Sequence, residues 1–191
     1  MINKGIKEFL RLYLTSIPLW DTRKFKDRVL DLGCGRGFYF KINPLAYGVD
    51  ADAECIAYLQ DKGYKVIQKD IRKELPFSGN FFKCVICHDV LEHLEPEEIK
   101  KVFLNVHRIL EIGGIFLILV PNLKGFNYGL ETNASHKYFI TPKEIFPITK
   151  GLFSIEKHCS HPLPRFIGNS FTHNKELILL KKCLYNGKIY N

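Results

Sequence analysis

The chain has 191 residues, of which 46% are hydrophobic and 25% charged, a balance that excludes the disordered and collagen-like classes. Lysine plus arginine number 28 against 20 aspartate plus glutamate, a formal charge of +8 that suits an anionic partner without requiring one. The length fits one domain, expected over 1–191, and no apolar run reaches the roughly 18–20 residues of a membrane span.

Ile2, Ile6, Phe9, Leu10, Tyr13, Leu14 and Ile17 recur at helical spacing, so residues 1–20 are expected to hold an amphipathic helix ended by Pro18, a candidate lid. Lys7, Glu8 and Arg11 break the apolar run that a secretory signal needs, and the expected location is the cytoplasm. A short strand at 29–32 runs into glycines, a helix is expected from there to about residue 42, and a second strand follows at 46–50. A helix at 53–62 stops at Gly63, a suitable left-handed cap, before a third strand at 65–68. A turn at 76–80 leads to a fourth strand at 82–87, a helix at 95–110, the Gly113-Gly114 pair and a fifth strand at 115–120. Residues 122–138 form a polar and aromatic loop of the kind that carries function. A helix follows at 141–152, with Thr141 as N-cap and Pro142 in its first turn, and then two late strands at 153–158 and 176–182.

Strands alternating with helices indicate an α/β domain, doubly wound, with a mostly parallel seven-stranded sheet, helices on both faces and a late antiparallel edge hairpin within 152–191. Six cysteines in such a chain read as reduced thiols. Cys84 and Cys87 resemble a CxxC pair, but on a strand positions three apart face opposite ways, and no metal is expected.

The strongest local signal is Val29-Leu30-Asp31-Leu32-Gly33-Cys34-Gly35-Arg36-Gly37, a strand entering a glycine turn where the backbone can take positive φ and approach a ligand. The third glycine comes one place too early for the dinucleotide fingerprint, and no Gly-Lys-Ser/Thr follows, which argues against NAD, FAD and a phosphate loop. Asp50 ends the second strand, where it can accept hydrogen bonds from ribose hydroxyls or cap a helix; its place after the glycines favours the ribose. Asp70 ends the third strand, with an adenine amino group or a helix cap as its two readings.

Together, Asp31-Leu32-Gly33-Cys34-Gly35-Arg36-Gly37, Gly48-Val49-Asp50, Lys69-Asp70-Ile71 and His88-Asp89-Val90-Leu91-Glu92-His93-Leu94 resemble, over 29–151, the class I S-adenosylmethionine-dependent methyltransferases. The resemblance implies that 29–151 is the cofactor-binding core and that S-adenosylmethionine is the cofactor. Gly33, Cys34, Gly35 and Gly37 would line its methionine and ribose portions, with Asp31 and Ala51 also among the cofactor-binding residues. Asp50 would hold the ribose hydroxyls, and Asp70 with Ile71 would bracket the adenine. His88 and Asp89 would face the methionine end, while Glu92 and His93 would pin the following helix.

An activated methyl group leaves the protein to bring an acceptor in line, with a base needed only where the acceptor must lose a proton. Two histidines compete for that role: His88 at the cofactor edge, and His136 in Ser135-His136-Lys137-Tyr138-Phe139-Ile140-Thr141-Pro142, which resembles a segment of several small-molecule methyltransferases. Asn122, Phe126, Tyr128 and Tyr138 are candidates for the acceptor pocket. The segment His88-Asp89-Val90-Leu91 lacks the Pro-Pro pattern of adenine-amine methyltransferases, and no cysteine follows a proline, as cytosine C5 enzymes require. The expected acceptor is a small molecule. An RNA or protein acceptor, prompted by the basic charge, and a non-catalytic cofactor-binding partner protein are the alternatives.

Overall fold

The structure is a computed structural model that describes residues 19, 21–121, 140, 142–161 and 175–184. The expected N-terminal helix, apart from Leu19, and the loop at 122–138 lie outside the described residues.

Seven strands form one sheet: β1 (Val29–Leu32), β2 (Tyr47–Asp50), β3 (Lys65–Gln68), β4 (Phe82–His88), β5 (Leu110–Pro121), β6 (Phe153–His161) and β7 (Lys175–Lys182). Their spatial order is β3-β2-β1-β4-β5-β7-β6. The pairs among β1 to β5 are all parallel, and β7 runs antiparallel to both β5 and β6. The late hairpin is therefore as expected, with its second strand seated inside, between β5 and the edge strand β6.

Side-chain alternation along the strands divides the interior into two cores. Leu30 and Leu32 of β1, Val85 and Cys87 of β4, Phe116, Ile118 and Val120 of β5 and Ile178 and Leu180 of β7 face one way. Val29, Cys84, Ile86, Leu117, Leu119 and Leu177 face the other. Cys84 and Cys87 thus lie in opposite cores, as their spacing requires. Cys34, Cys55, Cys84, Cys87 and Cys183 are free.

Helix α1 (Ala53–Asp61) covers the second core with Ile56 and Leu59. Asp52 caps it by accepting the Glu54 and Cys55 amides at 2.8 and 3.1 Å, and Gly63 at φ +77° closes it. Helix α2 (Pro96–Ile109) covers the first core with Ile99, Val102, Phe103, Val106 and Ile109, one stripe at helical spacing. Pro96 opens α2, and the Glu98 carboxylate reaches back to the Glu95 amide at 2.9 Å. Helix α3 (Pro142–Thr149) adds Ile145 to the same core. Among the described residues no helix is long and apolar enough to cross a membrane.

One expected helix is replaced by a tighter turn. After the glycines the chain makes only a 3-10 turn, Tyr39–Lys41, whose aromatic side chains are nearly fully buried. Tyr39 is anchored to Thr22, which also donates to the Leu19 carbonyl, and Phe40 stacks on Tyr64 with centroids 4.5 Å apart. Positive φ at Gly33, Gly35 and Gly37 turns the backbone away from the α region just where that helix would have to start.

At the other edge of the sheet the ammonium of Lys182, itself buried, donates to the Leu110 carbonyl at 2.7 Å and to Asn80 Oδ1 at 2.8 Å, pinning the end of β7 to the start of β5. Phe103 ties the α2 side together, edge-on to Phe116 and Phe153 with centroids at 5.3 and 6.1 Å. Phe103→Ala should therefore cost about 3–5 kcal/mol in urea unfolding. Its neighbour Leu104 is 45% exposed, and Leu104→Ala should stay within about 0.5 kcal/mol. Equal losses from the two would contradict this packing.

Candidate functional site

The order of the strands reverses at β1: the chain goes to β2 on one side and later to β4 on the other. A crevice therefore opens at the carboxyl ends of β1 and β4, the place where open α/β sheets bind ligands. Gly33, Cys34, Gly35 and Gly37 follow β1 into it, Asp50 and Ala51 end β2, and His88 and Asp89 end β4.

The glycine turn is laid across the end of β2 by its own amides. Gly33 and Cys34 donate to the Val49 carbonyl at 2.8 and 3.1 Å, and Gly35 donates to Asp50 Oδ2 at 2.7 Å. The other Asp50 oxygen accepts the Asp52 amide at 2.9 Å. Asp50 thus braces the turn, and the helix cap that was its alternative reading belongs to Asp52. A Cβ on Gly33 would lie 2.3 Å from Val90 Cγ2, whereas one on Gly35 would meet nothing within 4 Å, because open space lies over that residue. Gly48 clears the floor beneath, where a Cβ would stand 2.9 Å from Cys34 Sγ and 2.8 Å from Phe40 Cζ.

Beside the turn, a cavity of about 60 Å³ is lined by Leu19, Asp31, Gly33, Cys34, Phe38, Tyr39, Ile86 and His88. Asp31 is 5% exposed, and burial followed by repulsion from Asp50 pushes its carboxyl up to about 7. Burial also drives the Cys34 thiol well above its ordinary value, with Asp31 and Asp50 adding to the effect, so that it remains a neutral thiol. His88 meets the Phe38 ring edge-on with centroids at 6.2 Å, and its Nε2 lies 3.4 Å from Asp89 Oδ2. Asp89 itself takes φ +56° while its amide donates to the Leu119 carbonyl at 2.9 Å, a left-handed turn that carries the chain off β4.

Asp70 occupies the outer flank after β3. Arg72 holds it with its backbone amide at 2.9 Å and with guanidinium bonds at 2.7–3.0 Å, keeping the carboxyl at about 2. The same guanidinium donates to Glu98 Oε1 at 2.8 Å, linking this flank to the first turn of α2. Ile71 is buried in the core on the α2 side. Asp70 bends a turn and caps no helix among the described residues. His136, Asn122, Phe126, Tyr128 and Tyr138 lie outside the described residues.

Sequence reasoning missed Phe38 and Tyr39 as walls of the cavity, Val90 behind Gly33, and Arg72. The aromatic run Phe38-Tyr39-Phe40 was the available signal for the first two; the partnership of Arg72 with Glu98 spans 26 positions and leaves no local trace.

The methyltransferase domain family matches residues 30–118. A tRNA (carboxymethyluridine(34)-5-O)-methyltransferase from Arabidopsis thaliana is 36% identical over 95 residues, 48% of this chain and 23% of that protein. The chain spans 23%, 38% and 41% of the length of three curated relatives that it matches. A protein from Pyrococcus horikoshii OT3 superposes with a TM-score of 0.71 at 22% identity, covering 92% of this chain and 91% of that one. A SAM-dependent methyltransferase from Archaeoglobus fulgidus gives a TM-score of 0.68 at 22% identity over 92% and 94% of the two chains. At that identity the likeness establishes the fold.

A carboxyl raised from 3.8 to about 7 on folding lowers stability as pH rises through that window, because the folded state holds a proton that the unfolded state has lost. Asp31→Asn removes this penalty. The variant should gain up to about 4 kcal/mol over the parent between pH 4 and pH 8, at ~1.4 kcal/mol for each tenfold change in proton affinity on folding. Urea unfolding of both proteins across that range measures it, and parallel stability curves would refute a protonated Asp31.

Proposed function

We propose, from the match of residues 30–118 to the methyltransferase domain family, that the chain is a class I S-adenosylmethionine-dependent methyltransferase that transfers a methyl group to a small-molecule acceptor. One observation carries the reading: the braced glycine turn, the Asp50 carboxylate and His88 converge on one crevice, with open space over Gly35.

The residues present fit that cofactor. Gly35 leaves room for a ligand against the backbone, Asp50 keeps lone pairs beyond its two amide bonds for ribose hydroxyls, and Asp70 offers an ionised carboxylate at the adenine side. When bound, S-adenosylmethionine supplies a methyl group already activated by its sulfonium. Asp50 would hold the ribose hydroxyls by charge-assisted hydrogen bonds, beside the glycine turn that it braces. His88 and Asp89 border the methionine end, and His88 or His136 takes the proton from an acceptor that must lose one.

A small acceptor is supported by the segment Ser135 to Pro142, which resembles one in small-molecule methyltransferases; a cavity of about 340 Å³ between α2 and α3, lined by Ile99, Ile140, Ile145 and Ile148, shares no residue with the crevice. Its size falls within the range of small-molecule sites. An RNA acceptor is the second reading, favoured by the +8 charge and by the tRNA methyltransferase among the relatives.

Calorimetry should show micromolar binding of S-adenosylmethionine and S-adenosylhomocysteine and none of NAD; preference for NAD would overturn the cofactor. Asp50→Ala should weaken that binding by about 1–3 kcal/mol, the usual loss for a hydrogen bond to a charged group. A variant that binds as tightly as the parent would remove Asp50 from the site. For the acceptor, methyl transfer to small molecules should be nearly unchanged between 50 and 200 mM salt, whereas transfer to RNA should fall steeply over that range. His136→Ala should abolish turnover with cofactor affinity retained, and unchanged turnover would exclude it as the base.

A further inference from the structure

The two ends of the sheet differ in charge among the described residues. At the carboxyl ends of the strands, the crevice carries Asp31, Asp50, Asp52 and Asp89 against Arg36. At the amino ends, Arg28 leads into β1, Lys65 opens β3 and Lys83 is the second residue of β4. The Lys83 amide donates to the Arg28 carbonyl at 2.8 Å, so these two cations are neighbours. Asp27 and Glu111 are the acids beside them, and Arg28 engages Glu111 at 3.2 Å. Lys65 and Lys83 are exposed, with no hydrogen bond or ion pair holding their ammonium groups among the described residues.

Half-buried aromatic rings lie between these cations. Tyr47 opens β2 opposite Lys65, and Phe81 stands just before β4. The two rings meet edge-on with centroids 5.7 Å apart, and Phe77 meets Tyr47 edge-on at 6.0 Å. Fully buried Phe82 touches all three, with centroids at 4.8–5.6 Å, and fixes them in place. The Lys65 ammonium lies 5.1 Å from the Tyr47 centroid and the Arg28 guanidinium 5.4 Å from that of Phe81. Across the amino ends of β3, β2 and β1 the order is therefore cation, ring, ring, cation. The Tyr47 hydroxyl makes no hydrogen bond among the described residues.

We propose that this row is a docking surface for single-stranded RNA, at the end of the sheet opposite the crevice. Unpaired bases stack on aromatic faces, and cations interleaved with the rings meet the phosphates between them. On binding, the Lys65 ammonium swings from the face of Tyr47 to a phosphate and yields that face to a base, while Lys83 meets a second phosphate. Arg28, held by the Phe81 carbonyl and by Glu111, keeps its guanidinium over Phe81. A duplex hides the faces of its bases and gains only the charge attraction. The Tyr47 hydroxyl supplies a partner for a ribose 2′-hydroxyl, which a DNA strand lacks. The surface stands independently of methyl transfer: a strand held here leaves the crevice open, so RNA and S-adenosylmethionine do not compete.

Fluorescence anisotropy of the full chain with a labelled uridine decamer tests the surface. We expect binding that weakens about sevenfold between 50 and 200 mM salt, the loss for two phosphate contacts on a single strand. Lys65→Glu and Lys83→Glu should each weaken it at least about fivefold, whereas Lys100→Glu, the same charge change on the exposed side of α2, should alter it less than about twofold. Tyr47→Leu, which keeps an apolar side chain and loses the ring, should weaken it about tenfold with the salt dependence retained. A deoxyuridine decamer should bind at least about threefold more weakly, and excess S-adenosylhomocysteine should leave RNA binding unchanged. Should Tyr47→Leu fail to fold, photo-crosslinking of a 4-thiouridine decamer to the parent protein decides: adducts should fall on peptides holding Tyr47 or Phe81. No binding at 50 mM salt, equal weakening by all three charge variants, or adducts confined to other peptides would each overturn the proposal. So would equal binding of the DNA decamer or competition from S-adenosylhomocysteine. Binding of phosphatidylglycerol vesicles without binding of RNA would overturn it too, and would assign the row to a membrane surface instead.

Discussion

Because β2 and β3 lie on one side of β1 while β4 and β5 lie on the other, no crossover connection passes over the carboxyl end of β1. Everything at the site follows from that gap. The segment leaving β1 must fold back over β2 at once, and it does so by committing the Gly33 and Cys34 amides to Val49 and the Gly35 amide to Asp50. Three glycines with positive φ in five positions make the reversal possible within a single turn. The same reversal rules out a helix starting there, so the aromatic residues that follow drop into the core and become the wall of a cavity.

The two cores hold this turn from below. On the α1 side, Leu59 packs where a Cβ on Gly37 would stand, at 2.4 Å, and Phe40 occupies the space that Gly48 leaves. A side chain at either glycine would push on the helix or the ring that supports the turn, so fold and site share the same contacts. On the α2 side, Arg72 joins the flank holding Asp70 to Glu98 in the first turn of α2. The flank after β3 and the wall of the larger cavity are therefore tied through one guanidinium, partly exposed and correspondingly modest in energy.

What was legible in the sequence was local. Alternation, glycine punctuation and the run from Asp31 to Gly37 placed β1 to β4, α1 and α2 within a few residues, because each depends on neighbours in the chain, whereas β5 begins at Leu110, five residues before the expected start, and runs through Gly113 and Gly114. The late hairpin was legible as a pair of strands, but not the insertion of β7 between β5 and β6, which is fixed by seven matched positions from Ile115 with Lys181 to Pro121 with Lys175. The helix expected after the glycines failed because its period was plausible and its starting backbone was not. Arg72 was invisible because its second partner comes from another element. The state of Asp31 was invisible because the sequence shows a carboxylate and only the fold shows what surrounds it.

Acidic residues at equivalent places in this fold are accordingly not equivalent in charge. Asp31, Asp50 and Asp70 lie along or just past three neighbouring strands and look alike in sequence. Asp70 is gripped by a guanidinium and stays ionised far into acid. Asp50 offers one oxygen to each of two backbone amides, which orients its carboxyl group. Asp31 lines the small cavity and, among the described residues, has no hydrogen-bond partner; burial and the repulsion of another carboxylate, Asp50, act on it together. Their surroundings separate the three: a carboxylate gripped by a guanidinium, a carboxyl oriented by two backbone amides, and one that burial pushes up to about 7. A row of aspartates alike in sequence is thus made unlike by the elements packed around each one.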